Sequence, residues 1–270
     1  MKGLSPQNLG YMTAFAEAWP EESILQQLVA KLPWFHNCRI PDKIRDQAER
    51  LWYIQAAIEH GWSRNALVIQ IEAALYRRQG KAITNFTKAL PAPQSDLAQQ
   101  LLKDPYNFDF LMLSNDADER EMETGLVAHI QKFLLELGTS FAFVGRQYPL
   151  EITGDDYRLD LLFYHLKLRC FVVIDLKTGP FKPEYAGKIN FYLSAVDEML
   201  KHPSDNPTIG LILCKGKREL VVEYALRNLA TPMGIAEFRH LEELPAELKG
   251  SLPSIEEIEA EPRSSSADRE

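Results

Sequence analysis

The sequence predicts an α/β domain with a mixed sheet, preceded by an all-α region. Three observations carry this. The first ninety residues read as helices only. Residues 141–178 then hold three consecutive short runs, alternating or apolar, rich in β-branched and aromatic residues. Two further runs, 208–216 and 234–238, alternate with helical patterns.

In chain order, helices are expected over 6–19, 22–31, 42–60 and 63–79, separated by Pro20, Pro33, Pro41 and Gly61. Gly61 closes one helix and Ser63 is an N-cap for the next, which carries Ala66, Leu67, Ile69, Ile71 and Leu75. That outline fits either a helix-turn-helix-like unit or an ordinary helical hairpin. The helical region is assigned to 1–90, and the proline-containing stretch 91–115 reads as a connection. Residues 116–252 form the α/β domain, opening with an amphipathic helix whose stripe is Met122, Leu126, Ile130, Phe133 and Leu137. Strands follow in "FAFVGRQYPLEI", "YRLDLLFYH", "RCFVVIDLK" and "TIGLILCKG", with helices at 184–200 and 219–229 and a last strand in "GIAEF". The acidic, then Ser-rich, tail 253–270 is expected to be disordered.

Net charge is −8, yet residues 241–270 hold nine acids and three bases and so supply −6 of it. Residues 63–88 carry Arg64, Arg77, Arg78, Lys81 and Lys88 against Glu72 alone, a local +4 suited to phosphate contacts. Overall acidity therefore does not exclude a nucleic-acid partner. No apolar run is long enough to cross a bilayer, and the start lacks the apolar block of a signal peptide. The three cysteines are scattered, so neither a disulfide framework nor a zinc cluster is implied and a cytoplasmic location is expected.

Two apolar runs each contain one aspartate, Asp160 and Asp175. Side chains alternate along a strand, so Asp175 and Lys177 share a face. If 157–165 and 169–178 form a hairpin, partner numbers sum to about 335 and Asp160 stands against Asp175. Opposed buried carboxylates are tolerated when paired or bound to metal; reach to Arg158 or Arg169 at the strand ends would be a purely structural alternative. As hard oxygen ligands the pair suits Mg²⁺ or Mn²⁺, with Lys177 orienting water or offsetting developing charge. Glu123 lies one turn before Leu126 and Val127, nearer the core-facing stripe than Glu119 or Glu121, and is the expected third carboxylate. Tyr185, Lys188 and Tyr192 fall on one face of the helix at 184–200.

Helix, strand, strand with Asp, strand with [D/E]-x-K, helix: this order resembles the PD-(D/E)xK, or restriction-endonuclease-like, nuclease superfamily. Glu123, Asp160 and "DLK" at 175–177 occupy its positions. The chain resembles more closely one bacterial family, the YhcG-like proteins. The resemblance runs through "AERLWYIQAAIEHGWSRNAL", "GKAITNF", "LPAPQSDLAQQLLKDPYNFDFL", "LDLLFYHLKLRCFVVIDLKTG", "KPEYAGKINFYLSAVD" and "GLILCKGK". It implies an N-terminal nucleic-acid-binding helical domain joined to a nuclease domain. Metal ligands would be Glu123, Asp160 and Asp175, with Lys177 catalytic and Lys188 and Tyr192 touching substrate. Asp175 stands where the motif usually carries Glu, and family members begin upstream of "MKGLSPQNLGYM", which implies a shortened version.

The expectation is a Mg²⁺- or Mn²⁺-dependent nuclease acting on DNA, RNA being the other candidate substrate. Arg64, Arg77, Arg78, Lys81, Lys188 and Tyr192 would contact nucleic acid, and a homodimer mate or partner protein could be required. The rival reading is a nucleic-acid- or partner-binding protein whose nuclease-like fold is inactive.

Overall fold

The structure is a computed structural model and describes residues 6–18, 29–111 and 117–239. The N-terminal region contains helices α1 (Pro6–Ala18), α2 (Trp34–Lys43), α3 (Gln47–His60), α4 (Arg64–Glu72) and α5 (Leu75–Arg78), with a 3₁₀ turn at Val29–Lys31. Most of the expected helix 22–31 lies outside the described residues, as does the acidic tail 253–270. Pro41 falls inside α2 rather than between helices. The expected helix 63–79 is broken, because Ala74 takes a left-handed conformation, φ 49°, and restarts the chain as α5.

The α3–α4 turn forms for the reasons legible in its residues. Asp46 caps α3 by accepting from the Glu49 N–H, and Gly61 ends it at φ 59°, a conformation that costs glycine little. Ser63 accepts from the Ala66 N–H and starts α4. Tyr53, Ile54, Leu67 and Leu75 are buried together with Ile40 and Ile44, so these helices own a small core.

Between this region and the main sheet run β1 (Ile83–Thr84), α6 (Phe86–Ala89), α7 (Gln94–Leu101) and β2 (Tyr106–Asn107). The stretch 91–115, expected as a connection, thus carries structure of its own. Its apolar side chains Ala98, Leu102, Tyr106 and Phe108 join the main core. The remaining elements are α8 (Glu119–Ala128), α9 (Ile130–Leu137), β3 (Phe141–Ile152), β4 (Asp155–His165), β5 (Cys170–Pro180), α10 (Pro183–Met199), β6 (Ile209–Gly216), α11 (Glu219–Leu226) and β7 (Met233–Arg239). The single amphipathic helix expected at 116–138 is two, parted at His129.

The sheet runs β1-β7-β6-β5-β4-β3, and β2 pairs with β7 as well. Strand β4 runs antiparallel to both β3 and β5, while β5, β6 and β7 are parallel. The architecture is therefore a mixed α/β sheet preceded by helices, as the strand and helix patterns predict. Alternation divides the sheet into two faces. Leu161, Phe163, Ile174, Leu176 and Leu211 pack against α8 and α9 through Met122, Leu126, Phe133 and Leu137. Leu162, Val173, Ile212 and Ile235 pack against α10 and α11 through Ile189, Leu193, Val196 and Val222. All three cysteines are buried free thiols.

Candidate active site

The β4–β5 hairpin supplies the frame. Its pairs run from His165↔Cys170 to Leu161↔Ile174, each summing to 335, and the ladder ends there. Beyond that point β4 stays with β3 down to Asp155↔Ile152, whereas β5 stays with β6 through Lys177↔Cys214. The sheet forks. A fork leaves backbone groups on its inner edges without ladder partners, and buried N–H groups need an acceptor. Asp160 provides one: its Oδ2 accepts the Leu176 N–H at 2.9 Å.

Asp175 is the next β5 residue after the ladder ends, and is buried. It faces α10, since Val173 two residues earlier lies in the core on that side. Two ammonium groups meet its carboxylate: Lys188 Nζ donates to Oδ1 at 3.1 Å, and Lys177 Nζ lies 2.9 Å from Oδ2. Lys177 Nζ is therefore the close cationic partner of Oδ2, on a carboxylate that is 2% exposed. Lys177 also donates to the Leu176 carbonyl at 2.6 Å and to Glu119 Oε2 at 3.2 Å.

Burial pushes the Asp160 carboxyl up to about 6, and repulsion from Asp175 adds to this against the pull of the Leu176 N–H. Burial works against the charge of Lys177, but Asp175, then Asp160 and Glu119, outweigh it and hold its pKa above the ordinary lysine value. Lys188 shows the same balance, with Asp175 again dominating. Both lysines are therefore ammonium ions at neutral pH, able to donate and to attract charge but not to accept a proton.

The expected site residues fall into three groups. Asp160, Asp175, Lys177 and Lys188 converge at the fork, with the Tyr192 ring 5.5 Å from Lys188 Nζ. Glu123 is buried in α8 but engaged by β3: Gln147 Nε2 donates to Oε2 at 2.7 Å, and Arg146 Nε lies 3.3 Å from Oε1. Burial raises its pKa. The α8 carboxylate that meets Lys177 is Glu119, one helical turn earlier, although it is 46% exposed. Its i, i+4 relation to Glu123 was the available signal. How far α8 is slid along the sheet decides between them, and that is a tertiary property. Arg64, Arg77 and Lys81 are exposed, Arg64 lying 3.2 Å over the Phe35 ring. Arg78 is not at the surface: it is buried on Glu136 at 2.5 Å and also bonds the Ala73 and Pro105 carbonyls. His165 is packed in the hairpin turn, its Nδ1 accepting the Leu168 N–H, and burial lowers its pKa to about 4.

The geometry can be set beside known proteins. Residues 99–253 match the model of the YhcG PDDEXK nuclease domain. The chain belongs to that nuclease family. Residues 1–78 match the DUF1016 N-terminal domain. YhcG of Escherichia coli (strain K12) is 35% identical over 239 residues, covering 86% of this chain, and the chain spans 63% of that relative's length. A crystal structure of a repair endonuclease from Pyrococcus abyssi aligns over 47% of this chain and 48% of its own, at 17% identity and TM-score 0.33. Family membership makes the forked sheet part of a nuclease-type PDDEXK fold. No helix among the described residues is long and apolar enough to cross a membrane.

Proposed function

We propose that this member of the YhcG nuclease family is a divalent-metal-dependent endonuclease that hydrolyses phosphodiester bonds of DNA, with Asp160, Asp175 and Lys177 as its centre. The observation that carries the reading is geometric: Asp160 and buried Asp175 converge with Lys177 where the sheet forks, and burial first, then the charge of Asp175, raises the Asp160 carboxyl to about 6. The donor set suits a hard divalent ion: two carboxylates at the fork, whose oxygens are hard ligands, with the Asp175 carboxylate now balanced by ammonium groups. Mg²⁺ or Mn²⁺ held by Asp160 and Asp175 would supply Lewis-acid polarisation of a phosphoryl oxygen and a bound water of lowered pKa.

The chain's own groups supply the rest. Asp160 is fixed in orientation by the Leu176 N–H. Lys177, charged and 5% exposed at its side chain, offers its ammonium to the negative charge that grows on the phosphate. Glu119 restrains Lys177 from the opposite layer. Glu123, the third carboxylate of this proposal, is held by Gln147 and Arg146, and among the described residues no three acidic, His or Cys side chains stand together in a group that could hold a metal ion. Exposed Arg64, Arg77 and Lys81 in the helical region would bind the phosphate backbone without reading sequence.

The test is cleavage of plasmid and branched DNA with Mg²⁺ or Mn²⁺ by the protein and by Asp160→Ala and Lys177→Ala. Cutting by the parent and loss in both variants supports the reading. Variants that cut as well as the parent overturn it.

A further inference from the structure

Lys188 occupies a position that the proposed reaction does not require. Its ammonium sits 3.1 Å from Asp175 Oδ1, on the carboxylate that would hold a cation. The carboxylate is 2% exposed, whereas the Lys188 side chain is 42% exposed. One partner is fixed in the sheet and the other hangs from the rim of α10 on a flexible stem. Lys177, on the other oxygen, differs: its side chain is 5% exposed and tied to Glu119 and the Leu176 carbonyl. Of the two ammoniums on Asp175, only Lys188 is free to leave.

We propose that Lys188 is an exchangeable counter-ion: it neutralises Asp175 in the metal-free protein, and a divalent cation displaces it. This rests on the metal site proposed above. An ammonium and a divalent cation compete for the same carboxylate because like charges packed at one anion repel strongly in a partly desolvated site. Paired with Asp175, Lys188 Nζ lies 5.5 Å from the Tyr192 ring; displaced, it would stay on α10 beside the site with its charge unmatched. A phosphodiester of the substrate strand is the anion at hand to receive it. The same lysine would therefore oppose the first ligand and welcome the second. Metal and nucleic acid would bind with positive coupling, and linkage makes that coupling reciprocal.

The experiment is calorimetric titration of Mn²⁺ alone, and of Ca²⁺ with and without a short DNA duplex, into the full chain and into Lys188→Met and Lys188→Gln. The lysine is largely at the surface, so both variants should fold, which circular dichroism checks. Removing the competing charge should tighten Mn²⁺ binding by about tenfold or more. DNA should tighten Ca²⁺ binding in the parent and do so less in both variants. Unchanged or weaker Mn²⁺ binding in the variants, with the parent binding normally, overturns the exchange. So does coupling that survives in both. A parent that binds no metal and cuts no DNA overturns the metal-site reading itself, and the exchange with it.

Discussion

Asp160 Oδ2 accepts the backbone N–H of Leu176 at 2.9 Å, so a side chain takes over at the point where the β4–β5 ladder stops. The bond separates two roles of this residue. Asp160→Asn keeps an acceptor and removes the charge that Asp175 repels. Because the folded-state pKa of about 6 lies above the ordinary aspartate value, the ionised group destabilises the metal-free protein above that pH. Asp160→Asn should therefore raise stability at neutral pH by about 2–3 kcal/mol, with the gain vanishing as pH falls from about 6 to about 4. Asp160→Ala also strands the Leu176 N–H, offsetting the gain by about 1–3 kcal/mol. Urea denaturation of both variants across pH measures the difference.

Metal uptake should carry the same signature. A cation needs Asp160 ionised, so Mn²⁺ affinity should climb as pH rises from 5 to 7, with an inflection near the Asp160 pKa of about 6. Binding at pH 5.5 should release a proton fraction that disappears by pH 7.5. Calorimetry in two buffers of different ionisation enthalpy reads it directly, and a pH-independent affinity would contradict the assignment.

Lys177 should act as a cation throughout the working range, since its carboxylate neighbours raise its pKa. Lys177→Met should lower the single-turnover cleavage rate by about 10²–10³-fold, the usual cost of one charge-stabilising donor. Mn²⁺ binding should persist, because the carboxylates remain. Loss of metal binding equal to loss of rate would assign Lys177 to the site's architecture instead.

Arg77 and Arg78 adjoin in sequence yet should behave oppositely. Arg78 is buried on Glu136, with the Asn107 N–H also bonding that carboxylate. Arg78→Ala should cost about 3–5 kcal/mol, because it leaves a buried charge without its partner. Arg77 is exposed. Arg77→Ala should leave stability unchanged and lower the salt dependence of DNA binding by about one counterion. Thermal melts and salt-titrated binding separate the two.

The strands were legible because apolar alternation and β-branched content are local properties, and the runs 141–152, 155–165 and 209–216 lie within two residues of where the sequence places them. The shared face of Asp175 and Lys177 follows from the period of two alone. Other features were not local. β1 and β2 are two residues each and exist only because β7 offers them hydrogen bonds. The breaks at Ala74 and His129 sit in residues that favour no turn, so packing rather than propensity imposes them. The reach of Glu119 to Lys177, and of Arg78 to Glu136, depends on how helices are seated on the sheet. Single-strand periodicity carries no information about that.

The pairing of β1 and β2 with β7 has a consequence for where this chain can be cut. A strand on the rim of a sheet offers its bare N–H and C=O groups to any passing strand, and association follows. Here residues 83–84 cover Gly234 and Ile235, while 106–107 cover Phe238 and Arg239. Asn85 closes the end by exchanging bonds with Met233, its N–H to the carbonyl and its Oδ1 to the N–H. The matched nuclease segment begins at residue 99, beyond both β1 and Asn85. A fragment started there would keep the acidic centre but bare half of this border. Its companion strand would then have to come from another copy, turning a self-contained sheet into the seed of a polymer.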